Sequence, residues 1–239
     1  MWLFLFAVLP LAVCGVYAAV RSVRPNALIG AYPLLAFYGL VVGAAVCFVG
    51  FFFIYSADTV ADSVQRQALP YLLYRELLPL LAYAFFALVS RDGAVYVSRA
   101  AFPILGGFYT AYLPYYVFSS VVFDSGFGLF CVPLMTLCFI CGVSACARFA
   151  GMLYARRTSY RGNAGALAVR LCVCMVFFVW LCIVPAYVWG LYLTAMYTSA
   201  WQLWAALYCV ITPAVCAFSL SDRCKTFAAA AKTAEISAV

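Results

Sequence analysis

Apolar and polar positions alternate along this chain in long blocks, without the short period of an amphipathic helix or a half-buried strand. Apolar runs cover 2–20, 27–55, 69–90, 100–123, 126–147, 171–196 and 200–220, and short polar clusters separate them. A helix rises about 1.5 Å per residue, so a run of about 20 residues crosses a hydrocarbon core of about 30 Å. The pattern predicts an all-α polytopic membrane protein. It is a single domain over 1–239, a bundle of about seven transmembrane helices, with a short tail at 221–239.

Two runs need comment. The first lacks the basic start of a signal peptide and is read as a retained helix, with Ala18-Ala19 as a weak cleavage-like site. The second is longer than a bilayer core, which predicts tilt or a start near Pro33. Gly39 and Gly43, extended by Cys47 one turn on, form a small-residue face suited to close helix packing.

The third run raises the main chemical question, because LLYRELLP places Arg75 and Glu76 inside it. The charge-free stretch from Leu77 to Ser90 gives only about 21 Å of helix, too short to span. The helix must therefore begin near Leu69 and carry the pair inside it. Neighbouring residues of an α-helix point about 100° apart, so the two are not expected to pair with each other. Arg75 with Asp124, and Glu76 with Arg66, are the expected pairings.

Cations set the orientation. Arg21 and Arg24 follow the first run, Arg91 and Arg99 the third, and Arg148, Arg156, Arg157, Arg161 and Arg170 the fifth. The tail adds Arg223, Lys225 and Lys232, while the other side has Arg66 with Asp58, Asp62 and Asp124. The positive-inside bias then puts the N-terminus outside and the C-terminus inside, with Arg148, Arg156, Arg157, Arg161 and Arg170 as inner-face anchors. Arg75 and Glu76 fall toward the outer face in this reading.

Composition agrees. The chain is 69% hydrophobic and 9% charged, against about 25% charged in soluble domains. The net charge of +7 is spread over loops and does not form a patch, so nucleic acid is not an expected partner. Most of the twelve Cys lie within apolar runs. The CxxC spacing of Cys138 and Cys141 has only apolar neighbours, so these are read as small apolar residues and not as metal or redox ligands. The chain has no His, which removes the commonest general base and metal ligand. No phosphate loop, nucleophile elbow or acidic pair appears. The expectation is no enzyme, no catalytic residue, no metal and no cofactor.

Intramembrane ionisable residues are the default functional candidates. Arg75 and Glu76 head the list for a ligand or ion pathway. Tyr109, Tyr112 and Tyr116 join them, since they share one helix face. Prolines stand in or near every run, and bent helices suit a central pathway or a moving bundle.

These features favour a small-solute transporter or permease, or the membrane-embedded component of one. The alternative is a non-catalytic structural subunit of a larger membrane protein complex. The third reading is a heptahelical receptor or sensor, disfavoured by short outer loops. Small sugar facilitators and heptahelical receptors share this layout in architecture alone. The last run has no Lys, which excludes a retinal Schiff base. The bilayer is the expected partner, together with partner subunits or a second copy of the chain, and the ligand is unassigned. The expected location is a bacterial cytoplasmic (inner) membrane, with an organelle membrane as the alternative.

Overall fold

The computed structural model describes residues 27–53, 64–91, 93–119, 130–155, 164–194 and 199–217. Six long helices occupy them. α1 is Ala27–Phe53, and α2 runs from Val64 to Val89 in three parts: Val64–Tyr71, a widened π turn at Leu72–Leu77, and Leu78–Val89. α3 is Ala94–Ser119, α4 Val132–Ala155 and α5 Ala164–Thr194. α6 is Ala200–Ala217. Among the described residues there is no strand. The run at 2–20, the tail from 221 and residues 156–163, with Arg156, Arg157 and Arg161, lie outside the described residues.

Five of the helices are long and apolar enough to cross a membrane, as expected of a membrane-embedded protein. α3 falls short of that apolarity, and it is the one enclosed by its neighbours. Every residue from Ala100 to Tyr109 is buried. Only surface that faces lipid must be apolar, so the more polar helix belongs inside. The outer surfaces carry Leu34, Phe37 and Phe48 on α1, Leu81, Phe85 and Leu88 on α2, and Val169, Val173 and Val176 on α5.

α3 packs against α1 on one side and α4 on another, and α5 packs against α4. α2 leans across the bundle, its start against α5 and its end against α3 and α1. Contacts close at glycines. Gly39 and Gly43 of α1 face Ile104 and Phe108, and Gly107 of α3 faces Ala36. A Cβ at any of these three would overlap a carbonyl oxygen of the opposite helix. Cys47 continues the seam, its thiol donating to the Ala111 carbonyl at 3.8 Å. Gly142 against Leu181 and Gly190 against Val64 mark the α4–α5 and α5–α2 contacts.

Helix ends depart from the sequence expectation. α2 is helical from Val64, before Leu69, and α3 from Ala94, before Ala100. α4 stays helical to Ala155, past 147, and α5 is helical from Ala164, before 171. Polar turns, and single arginines such as Arg99, Arg148 and Arg170, cut an apolar run short of the helix end. Gln65, Arg66 and Gln67 are good helix formers and extend α2 backwards. Arg99, Arg148 and Arg170 are likewise helical residues, not loop residues. Between α2 and α3 the chain turns at Ser90, whose N–H donates to the Phe86 carbonyl at 2.8 Å, and at Gly93, whose carbonyl accepts from Tyr96 at 2.8 Å.

Candidate functional site

Pro79 begins the site. Proline has no N–H, so in an α-helix the carbonyl four residues earlier loses its donor. That carbonyl belongs to Arg75. It accepts instead from the Tyr109 hydroxyl of α3, at 2.6 Å. The turn before Pro79 widens to an i→i+5 pattern, which the Leu78 N–H closes on the Leu73 carbonyl. A π turn shifts the phase of the residues around it. Both members of the adjacent charged pair can therefore face inward: Arg75 is 1% exposed and Glu76 2%.

Since α2 starts at Val64, the pair lies about 17 Å along it, close to the middle. The apolar stretch of α2 long enough to cross a membrane is Leu72–Val89, and the pair lies in its first turns. Arg75 does not reach outward. Its Nη2 donates to the Val132 carbonyl at 3.1 Å and to the Thr136 hydroxyl, both on α4. Its guanidinium carbon lies 4.8 Å from the ring centroid of Tyr71 and 5.1 Å from that of Tyr116. A planar, weakly hydrated cation suits such a box, where desolvated cation–π contacts contribute about 2 kcal/mol. Trp189 of α5 closes the box, 5.3 Å from Tyr71 and 5.2 Å from Tyr116, centroid to centroid. Tyr112 stacks on Tyr116 at 5.8 Å. Arg75 Nη1 is buried without a hydrogen-bond partner.

Glu76 points elsewhere. Its Oε2 is buried with no hydrogen-bond partner. Tyr71, Tyr109, Tyr112, Cys182 of α5 and Tyr208 of α6 lie within electrostatic reach of it. Around Glu76 the proline device recurs. Pro185 leaves the Leu181 carbonyl without its helical donor, and the Tyr208 hydroxyl donates to it at 3.2 Å. Two proline-bearing helices thus each have a proline-stripped carbonyl capped by a tyrosine, and both tyrosines lie within electrostatic reach of Glu76.

Of the residues singled out in the sequence, Arg75, Glu76, Tyr109, Tyr112 and Tyr116 come together here. Gly39, Gly43 and Cys47 form the α1–α3 seam. Arg148 is half-buried on α4 and Arg170 exposed on α5. The pairings expected for Arg75 and Glu76 involve Asp124 and the Arg66 side chain, both outside the described residues. Thr136, Tyr71, Trp189, Cys182 and Tyr208 were not anticipated. Pro185 carried a usable signal, because the carbonyl it strips is fixed at four residues back.

Among the described residues no group of three or more Cys, Asp or Glu stands close enough to hold a metal ion. Cys138, the first Cys of the CxxC, makes a thiol–thiol contact with Cys209 of α6. Chemically the centre offers a fixed cation with one free donor edge and a carboxyl with one free oxygen. No family model, curated protein or solved structure matches the chain.

Proposed function

We propose that this chain is a small-solute permease, or the membrane-embedded component of one, working around Arg75 and Glu76. One observation carries the reading: a buried charged pair sits in the widened π turn of a proline-bearing helix. Charge inside a membrane bundle is costly and marks substrate or ion pathways. Helix irregularities next to such charges are a common feature of transport sites. In this reading the protein is not an enzyme. The N-terminus lies outside, the C-terminus inside, and a bacterial cytoplasmic membrane is the natural setting.

The test is uptake. In cells or proteoliposomes, Glu76→Gln combined with Tyr109→Phe should abolish solute uptake while the amount of protein in the membrane stays unchanged. Uptake at the parental rate removes the pair from any pathway and the permease reading with it.

A second reading has one observation in its favour. Residues 168–173 at the start of α5 are all exposed, and Val176 and Val179 beyond them as well. A subunit of a larger complex would cover such a stretch with a partner. Gentle extraction followed by mass spectrometry separates the two. Companions in fixed ratio favour the subunit, and a chain that runs alone or with itself favours the permease.

A further inference from the structure

We propose that Glu76 is a proton-binding site, and that its proton controls whether Tyr109 and Tyr208 cap the two helix breaks. The coupling of that proton to solute rests on the permease reading; the protonation itself does not.

The inference starts from donors and acceptors. Tyr109 gives its hydroxyl hydrogen to the Arg75 carbonyl, and Tyr208 gives its own to the Leu181 carbonyl. A tyrosine hydroxyl has one hydrogen to give, so both oxygens can then only accept. An ionised carboxylate also only accepts. An ionised Glu76 would therefore find no donor in either hydroxyl, and its Oε2 has none. A protonated Glu76 carries no charge, so it does not leave a buried anion without a donor. The capped arrangement is matched to the acid form.

The remaining neighbours do not alter this. Arg75 is the nearest cation, but its Nη2 is committed to α4 and its guanidinium to Tyr71 and Tyr116. Among the described residues no ion pair joins it to Glu76, and Glu76 Oε2 stays without a donor. From α3 come Tyr109 and Tyr112, from α5 Cys182, from α6 Tyr208, and from α2 itself Tyr71. Cys47 of α1 and Cys138 of α4 stand further out, against Tyr112 and Tyr208. No group of three ligating side chains is present among the described residues, so a proton is favoured over a metal cation.

Loss of the proton has a structural consequence. Glu76–COOH gives H⁺ to water and becomes a carboxylate that needs donors. The Tyr109 and Tyr208 hydroxyls are uncharged donors within electrostatic reach of it. Turning either toward Glu76 withdraws it from its carbonyl and uncaps the break at Pro79 or Pro185. Proton occupancy at one carboxyl thereby selects between capped and uncapped forms of both proline-bearing helices.

The experiment is infrared spectroscopy of the full chain in lipid across a pH series. The sequence has two glutamates, Glu76 and Glu235. Carboxyl-¹³C-glutamate labelling of an E235Q chain isolates the Glu76 signal without touching the site, and Glu76→Gln provides the blank. A carboxylic-acid band at neutral pH is expected, shifting in deuterium oxide, converting to carboxylate at higher pH and absent from E76Q. A carboxylate band throughout overturns the proposal, as does an acid band that neither exchanges nor titrates. Proteoliposomes supply the second arm. An inward proton gradient should drive solute above its outside concentration, and in E76Q the solute level should not respond to the gradient. A titrating Glu76 in a protein that moves no solute keeps the proton site and removes the permease. A working permease whose Glu76 stays ionised does the reverse.

Discussion

The two sides of α3 are held by opposite means. Toward α1 the contact is backbone on backbone. Gly39, Gly43 and Gly107 have no side chain to intervene, and Ile104 and Phe108 present their carbonyls directly. Toward α2 and α5 the contact is made by long side chains with polar ends: Tyr109 on the Arg75 carbonyl, Tyr116 over the guanidinium, Tyr112 stacked behind it. The first side is specified by volume and leaves one geometry. The second is specified by hydroxyl hydrogens, which have more than one acceptor to choose between. A bundle built this way has a rigid base, α1 with α3, and a centre whose hydrogen bonds can be redistributed.

The largest effect should come from emptying the polar side. Arg75→Ala leaves a void between Tyr71, Tyr116 and Thr136, and large-to-small changes in packed interiors cost about 2–5 kcal/mol. Arg75→Lys keeps the charge but not the planar fork, so it should fall between Ala and the parent. Thermal unfolding in mild detergent measures both. Equal behaviour of Lys and Ala would show that charge contributes nothing there. Gly107→Ala probes the other side. Its new methyl meets the Ala36 carbonyl, part of a backbone that cannot turn away. Overpacking of this kind costs about 1–3 kcal/mol. The same unfolding assay should show the loss, and uptake per folded molecule should stay at the parental level. A Gly107→Ala chain of parental stability would mean that α1 and α3 are not locked.

The seam was readable in the sequence because small residues at helical spacing are a property of one helix. Arg75 and Glu76 were readable because charge stands out in an apolar run. Their surroundings were not. Val132 and Thr136 lie 57 and 61 positions from Arg75, and nothing local ties them to it. Charge complementarity pointed to Asp124 and Arg66, which lie outside the described residues; among those described, a carbonyl, a hydroxyl and two rings hold Arg75. Neutral partners leave no charge signature. An apolar-run rule also cuts a helix at a polar turn or a single Arg, which is why α2 reads from Leu69 and α5 from Leu171 although both helices begin earlier. Pro79 came closest to bridging the gap, since it names the orphaned carbonyl even though it cannot name the tyrosine that caps it.

The two caps offer the finest comparison. Tyr109→Phe and Tyr208→Phe each remove one hydroxyl and little else, leaving the Arg75 or Leu181 carbonyl without its donor. Interhelical hydrogen bonds in membrane bundles contribute about 0.6 kcal/mol on average and about 1.7 at most. The Tyr109 bond is the shorter, 2.6 Å against 3.2 Å, and its carbonyl lies in the widened turn itself. Tyr109→Phe should therefore cost more than Tyr208→Phe. The sum tests whether the two breaks communicate. Independent caps add, as distant sites do within about 0.5 kcal/mol. Caps that share Glu76 as an alternative acceptor do not, because the first loss already shifts the carboxyl's hydrogen bonding toward the remaining tyrosine. Additive losses would leave Pro79 and Pro185 as two separate bends that happen to sit near one acid.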